Sequence, residues 1–172
     1  ADTRFPNKKP EALRAWYSPE GLKDLYERNI ENINEHLQNS DISYLTDKNG
    51  LSLRNYQINA IKAVEEAILK GEKRALLVMA TGTGKTRVAV GLSYRLIKSN
   101  RFRRILFLTD RRTLAEQAGD DFDDYKIENF NTFADIYKIN KLGKQDTEIE
   151  TRVQFATVQS MVKRLFYAID EK

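Results

Sequence analysis

This chain predicts an α/β fold: a parallel sheet with helices on both faces, preceded by a helical segment. Three observations carry that expectation. Apolar runs of strand length recur at Ala75-Leu76-Leu77-Val78, at Arg104-Ile105-Leu106-Phe107-Leu108-Thr109 and at Val153-Gln154-Phe155-Ala156-Thr157. Helical patterns separate them, and strands joined through helices pair in parallel and bury both faces. Between the first run and the next helix lies Met79-Ala80-Thr81-Gly82-Thr83-Gly84-Lys85-Thr86. A glycine turn between strand and helix, ending in Gly-Lys-Thr, is the arrangement that wraps a nucleotide triphosphate.

The first element should be a helix opening at Ser18-Pro19-Glu20, with Ser as N-cap, Pro at the first helical position and Glu in the first turn. Leu22, Leu25/Tyr26, Ile30, Ile33 and Leu37 follow as an amphipathic stripe, with His36 beside it as a surface or packing residue. The polar stretch 41–50 marks the boundary, so residues 1–46 read as a helical connector segment and 47–172 as the nucleotide-binding domain. A second helix is expected over 52–70, with Leu53, Ile61, Val64 and Ile68 on one side and Gly71 as its stop. Helices are then expected over 88–97, 113–122, 132–139 and 158–166, with a loop over 141–151.

Composition narrows the classes. The 172 residues are 41% hydrophobic and 31% charged, which suits one soluble globular domain with an appended segment. No apolar run approaches the ~20 residues of a membrane span, and Ala1-Asp2-Thr3-Arg4 lacks the apolar centre of a secretory signal. With no cysteine and one histidine, disulfide frameworks and most zinc sites are excluded, and a cytoplasmic location is expected. Lys+Arg total 29 against 25 Asp+Glu, an excess of 4 that permits nucleic-acid binding. Lys98, Arg101, Arg103, Arg104, Arg111 and Arg112 crowd around the second strand, and Asp120, Asp121, Asp123 and Asp124 form an acidic block after it.

The chemistry of the glycine turn is concrete. Gly82 and Gly84 let backbone N–H groups turn inward where side chains would obstruct phosphates, with Thr81 and Thr83 between and before them. Lys85 would reach the β/γ-phosphates and the Thr86 hydroxyl would ligate Mg²⁺. Upstream, in Leu53-Arg54-Asn55-Tyr56-Gln57, the Gln57 amide offers both the donor and the acceptor that adenine requires, and Arg54 stands beside it. Two strand ends complete the set. Thr109-Asp110-Arg111-Arg112 leads into a helix, a seat for a backbone phosphate beyond the carboxyl ends of the strands. Thr157, Gln159 and Ser160 offer neutral donors to phosphate oxygens, or simply an N-cap.

In this order the four clusters resemble the first half of a superfamily 2 helicase motor, a P-loop (RecA-like) domain. Their wording is closest to the restriction (R) subunit of type I restriction-modification systems. The resemblance covers about residues 51–166. It implies that Gln57 recognises adenine, that 79–86 is motif I with Met79 in place of the usual glycine, and that Arg112 of motif Ia touches the DNA backbone. It further implies ATP and Mg²⁺ as cofactors, Arg111, Arg112, Thr157 and Gln159 as contacts to double-stranded DNA, and specificity and methyltransferase subunits as partners. The parent would be an ATP-dependent DNA translocase and endonuclease subunit. Asp170-Glu171 lacks an apolar strand ahead of it and is not read as the family's Mg²⁺-holding Asp-Glu pair. The second motor domain and the nuclease residues are not found, and Ala1 is not an initiator methionine, so a fragment of a longer polypeptide, with an incomplete domain, is expected. Two alternatives stand beside this reading: a small-molecule kinase on the same phosphate loop, and a fragment inactive by itself. The kinase gives no role to Gln57 or to Asp110-Arg111-Arg112.

Overall fold

A computed structural model describes residues 19–141 and 150–167. The chain divides into two compact units, residues 1–32 and 33–172. Helix α1, Pro19–Asn39, opens at the proline expected in its first position. Ser18 of the expected cap lies outside the described residues, while Leu22 and Leu25 of the stripe fall within the helix. In the second unit Leu37 is fully buried and His36 is exposed. Residues 33–46, which include a 3₁₀ turn at Ser43–Leu45 whose Tyr44 and Leu45 are buried, therefore pack with the larger unit.

Helix α2, Asn55–Leu69, buries Ile58 and Ile61 at helical spacing. It ends as expected at Gly71, whose φ of +80° lets its N–H reach Ile68 O while Glu72 N–H reaches Ala67 O. Helix α3, Lys85–Lys98, buries Val88, Val90, Tyr94 and Ile97. Strand β1, Ile105–Thr109, leads into helix α4, Arg112–Asp124, whose Ala115, Ala118 and Phe122 form its buried face. Strands β2 (Lys126–Glu128) and β3 (Asn131–Thr132) form an antiparallel hairpin that sequence reasoning does not anticipate. Its turn needs left-handed backbone at Asn129 and Phe130, and nothing in the residue pattern announces it.

The helix expected over 132–139 is shorter than the pattern suggests. Only α5, Phe133–Ile136, is helical, and Ile139–Asn140 becomes strand β4. The edge of strand β5, Val153–Thr157, takes Ile139 and Asn140 into a parallel ladder, opposite Val153 and Gln154. Backbone pairing with a strand outweighs a marginal helical repeat of eight residues. The sheet order is β1-β5-β4, all parallel. Helix α6, Val158–Val162, continues as a wider π turn through Lys163–Tyr167.

One face of this sheet carries the core. Phe107 of β1 stands opposite Phe155 of β5, with ring centroids 5.4 Å apart. Phe122 of α4 lies 5.1 Å from Phe155 and 5.0 Å from Phe133. On the other face Met161 of α6 shares a hollow with Leu106 and Gln154, but Leu106 and Leu108 remain 45% and 49% exposed. Expected as wholly buried, β1 is thus buried on one face only, because β5 is its single described neighbour.

The run Ala75-Leu76-Leu77-Val78 corrects the sequence reading more sharply. It has no regular secondary structure and pairs with no described strand, and Leu76 and Val78 are 90% and 83% exposed. A buried strand was expected from its apolarity. Yet strand status comes from ladder hydrogen bonds, and no described segment supplies them. The loop expected over 141–151 falls largely on residues outside those described. Its first residue, Lys141, bonds Asp120 at 2.7 Å and also meets Asp123, so part of the acidic block is tied down locally.

Candidate functional site

The glycine turn reaches α3 through backbone that ordinary side chains rarely adopt. Gly82 and Gly84 have φ of +78° and +79°, and Gly84 is the residue from which α3 starts. A Cβ at Gly82 would meet open space, whereas one at Gly84 would lie 2.5 Å from Gln57 Nε2. No side chain caps this helix start. Its first-turn amides, together with the positive end of the helix dipole, are what an anion requires.

Lys85, the first residue of α3, is exposed rather than packed away. Its Nζ donates to Ala80 O at 3.0 Å and to Met79 O at 3.3 Å, and Thr83 Oγ1 also donates to Ala80 O at 2.7 Å. The ammonium thus lies over carbonyls of its own turn, which incoming phosphate oxygens can replace. Thr81 is exposed and Thr86 half-buried beside it.

Gln57 is 4% exposed, and its amide is engaged at both ends. Oε1 accepts the Arg54 backbone N–H at 2.8 Å, while Nε2 donates to Thr83 O at 2.9 Å. Tyr56 Oη donates to the same carbonyl at 3.0 Å. The side chain assigned to adenine from the sequence therefore also braces the phosphate loop. Arg54 remains exposed next to it.

The sheet brings the distant motifs to one rim. Parallel register sets Thr109 directly opposite Thr157, so β1 and β5 end level. Gln159 Nε2 donates across that rim to Asp110 O at 3.3 Å. A cavity of about 500 Å³ joins the two halves of the site, lined by Lys85, Thr86, Thr109, Asp110, Leu114 and Gln117 among others. Phosphate loop and β1 end thus face one space, although they lie more than twenty residues apart in the chain.

The two arginines beyond this rim are exposed and lightly held. Arg111 meets Asp110 at 3.7 Å, and Arg112 meets Glu116 one helical turn on at 2.8 Å. Exposed pairs of this kind contribute about 0–1 kcal/mol, so either cation can exchange its carboxylate for a phosphate. Thr157 is different. Its Oγ1 accepts the Ser160 N–H at 3.2 Å and Ser160 Oγ accepts the Thr157 N–H at 3.1 Å, a reciprocal cap of α6 that uses the hydroxyl as an acceptor and leaves its proton to donate.

Sequence reasoning passed over a buried pair behind the site. Arg95 of α3 and Glu65 of α2 are 4% and 6% exposed and bonded to each other. The signal was present. Glu65 falls four residues after Ile61 and Arg95 seven after Val88, on the inward stripes of their helices.

No group of His, Asp and Glu among the described residues could hold a metal ion by itself. None of the described helices is long and apolar enough to cross a membrane. The family model described as "Type III restriction enzyme, res subunit" matches residues 50–171. The endonuclease subunit of type I restriction enzyme EcoKI from Escherichia coli strain K12 is 44% identical over 95% of this chain and 13% of its own length. The EcoAI endonuclease subunit of Escherichia coli is 51% identical over 43% of the chain and 9% of its own length. A yeast protein, the putative ATP-dependent helicase IRC3 of Saccharomyces cerevisiae, is 37% identical over 66% of the chain and 16% of its own length. No solved structure matches. The chain therefore spans a small part of the relatives it resembles, and the motif-based likeness to type I restriction subunits is borne out. Since the matched span takes in the Gln57 cluster, the phosphate loop and both strand ends, this chain belongs to the family of the type III restriction enzyme res subunit.

Proposed function

We propose that this chain is the ATP-binding part of an ATP-dependent DNA translocase, the motor and endonuclease subunit of a type I restriction enzyme. Residues 1–46 are the connector and 47–172 the N-terminal part of the first motor domain. One observation carries the reading: the cavity in which Lys85 and Thr86 face the end of β1 at Thr109 and Asp110. A kinase would use the phosphate loop alone, and the family match leaves that alternative without support.

The residues present fit a nucleoside triphosphate with Mg²⁺. Left-handed glycines and an uncapped helix start form the cradle. Lys85 exchanges the Met79 and Ala80 carbonyls for phosphate oxygens, and the Thr86 hydroxyl is the metal ligand. Bound Mg²⁺ would neutralise phosphate charge. Gln57 holds the loop through Thr83 O and offers its remaining donor, with Arg54, to the base. Arg111, Arg112 and Gln159, with Thr157 at the helix start, engage phosphates of double-stranded DNA rather than base edges, so engagement is sequence-independent and salt-sensitive. Sequence choice then falls to a specificity subunit, acting with a methyltransferase subunit in a cytoplasmic complex.

Calorimetry of the intact polypeptide with an ATP analogue tests the nucleotide half. Lys85→Ala removes a charged donor, a loss of about 1.5–3 kcal/mol or roughly ten- to a hundredfold in affinity. Unchanged affinity in the variant would remove Lys85 from the site. The DNA half is tested by ATPase rate, which duplex DNA should raise.

A further inference from the structure

We propose that Arg95 is a positioning residue that couples residues 37–46, through the carbonyls of Leu37 and Asp41, to the nucleotide site, so that occupancy of the phosphate loop and order in that segment depend on each other. This rests on the nucleotide reading above and adds to it a route of regulation. Arg95 lies ten residues into α3 from Lys85, about 15 Å along one rigid helix. Its guanidinium is engaged from two directions. Nε and Nη2 meet the Glu65 carboxylate, Nη2 at 3.2 Å. Nη2 also donates to Leu37 O at 3.1 Å and Nη1 to Asp41 O at 3.2 Å.

Leu37 O belongs to the last turn of α1, where carbonyls have no helical partner and the dipole end is negative. Leu37 O also accepts from Ser40 Oγ at 2.9 Å, so the buried cation adds a second bond there and one to Asp41 O, and a lysine could not span all of these acceptors. The geometry makes one strut of three pieces. At their N-terminal ends α2 and α3 are joined by Gln57 on Thr83 O, and further along by Glu65 on Arg95. Any shift of α3 as the loop closes on phosphate moves the Arg95 fork against the Leu37 and Asp41 carbonyls. By thermodynamic reciprocity, tension on residues 37–41 alters affinity at the loop equally. These are among the first residues of the larger unit, which begins at Ile33.

Amide hydrogen exchange of the intact polypeptide, with and without a non-hydrolysable ATP analogue and Mg²⁺, tests the coupling. In the wild type the analogue should slow exchange at 83–88, where it binds, and by about fivefold at 41–46. The double variant Glu65→Met/Arg95→Met replaces the buried pair by apolar groups, a change that folds often tolerate. It should keep the slowing at 83–88 and lose it at 41–46. Should that variant fail to fold by circular dichroism, Arg95→Lys keeps the ion pair, forfeits the fork, and should weaken the 41–46 response alone. Slowing at 83–88 without 41–46 in the wild type, or an undiminished 41–46 response in the variants, overturns the coupling and leaves the nucleotide reading standing. No slowing at 83–88 in the wild type overturns both.

Discussion

Two apolar segments of this molecule make opposite structures. Val153–Thr157 lies between β1 and β4, and Val153 and Phe155 are 0% and 2% exposed. The run 75–78 is comparably apolar, yet Leu76 is 90% exposed and the segment joins no sheet among the described residues. The difference is the number of neighbours. A strand's amides and carbonyls are satisfied by the chains on either side, and its side chains are buried by what those neighbours carry with them. Hydrophobicity qualifies a segment for a sheet. Partners admit it.

The largest way to sharpen this contrast is to cut at both places. Phe155→Ala, at the centre of a ring cluster with Phe107 and Phe122, should destabilise the 172-residue chain by about 3–5 kcal/mol in urea unfolding. Leu76→Ser should stay within about 0.5 kcal/mol, since nothing described packs on it. Equal costs would mean that 75–78 is covered in solution.

A smaller effect separates the two glycines of the loop. Both have left-handed backbone, so alanine at either costs about 1–2 kcal/mol. At Gly84 the added Cβ also meets Gln57 Nε2, so Gly84→Ala should loosen the brace on Thr83 and weaken nucleotide binding further than Gly82→Ala. Titration of both variants with an ATP analogue ranks them, and the reverse order would remove Gln57 from the loop's support.

Charge supplies the next test, at a carboxylate tied to two donors. Glu128 accepts from Lys98 and Tyr94, and those bonds, Lys98 foremost, hold its pKa below the ordinary 4.5. Because its folded pKa is depressed, the stabilisation is complete above about 4.5 and is lost as pH falls through the lower folded value. Glu128→Gln should therefore flatten the acid side of the stability curve and change little of its shape near neutrality. A parallel acid limb in the variant, read by thermal melts from pH 6 down to about 3, would show that other carboxylates dominate.

The smallest and most specific change is at the rim. Arg112→Ala should reduce the salt dependence of DNA binding by about one phosphate's worth, while affinity falls alike for unrelated duplexes. An affinity loss that differs between unrelated duplexes would instead make Arg112 a reader of bases.

Much of the candidate site is legible in the sequence. The Gly-Lys-Thr turn announced itself because its chemistry is local: glycines for left-handed backbone, a lysine at a helix start and a hydroxyl after it occupy consecutive positions. Gly71 as a helix stop and Thr157 with Ser160 as a cap were legible for the same reason. Less legible was the brace that Gln57 gives the loop. The N–H that donates to its Oε1 lies three residues away at Arg54, but the carbonyl that accepts from its Nε2, Thr83 O, is twenty-six residues on, and a backbone carbonyl leaves no mark in composition.

Local order was thus determined by the sequence alone: helix starts and stops, the order of the motifs, and the residue types that can meet a phosphate. Long-range pairing was decided only in three dimensions. The tertiary structure chose which apolar runs became strands and drew Ile139 and Asn140 out of a helical repeat into the sheet. It set Thr109 level with Thr157, and it aimed Arg95 at carbonyls more than fifty residues earlier. The physical reason is common to all of these. Hydrogen-bond ladders and buried ion pairs are completed by whichever groups the packed chain brings alongside, and distance along the chain does not say which those will be.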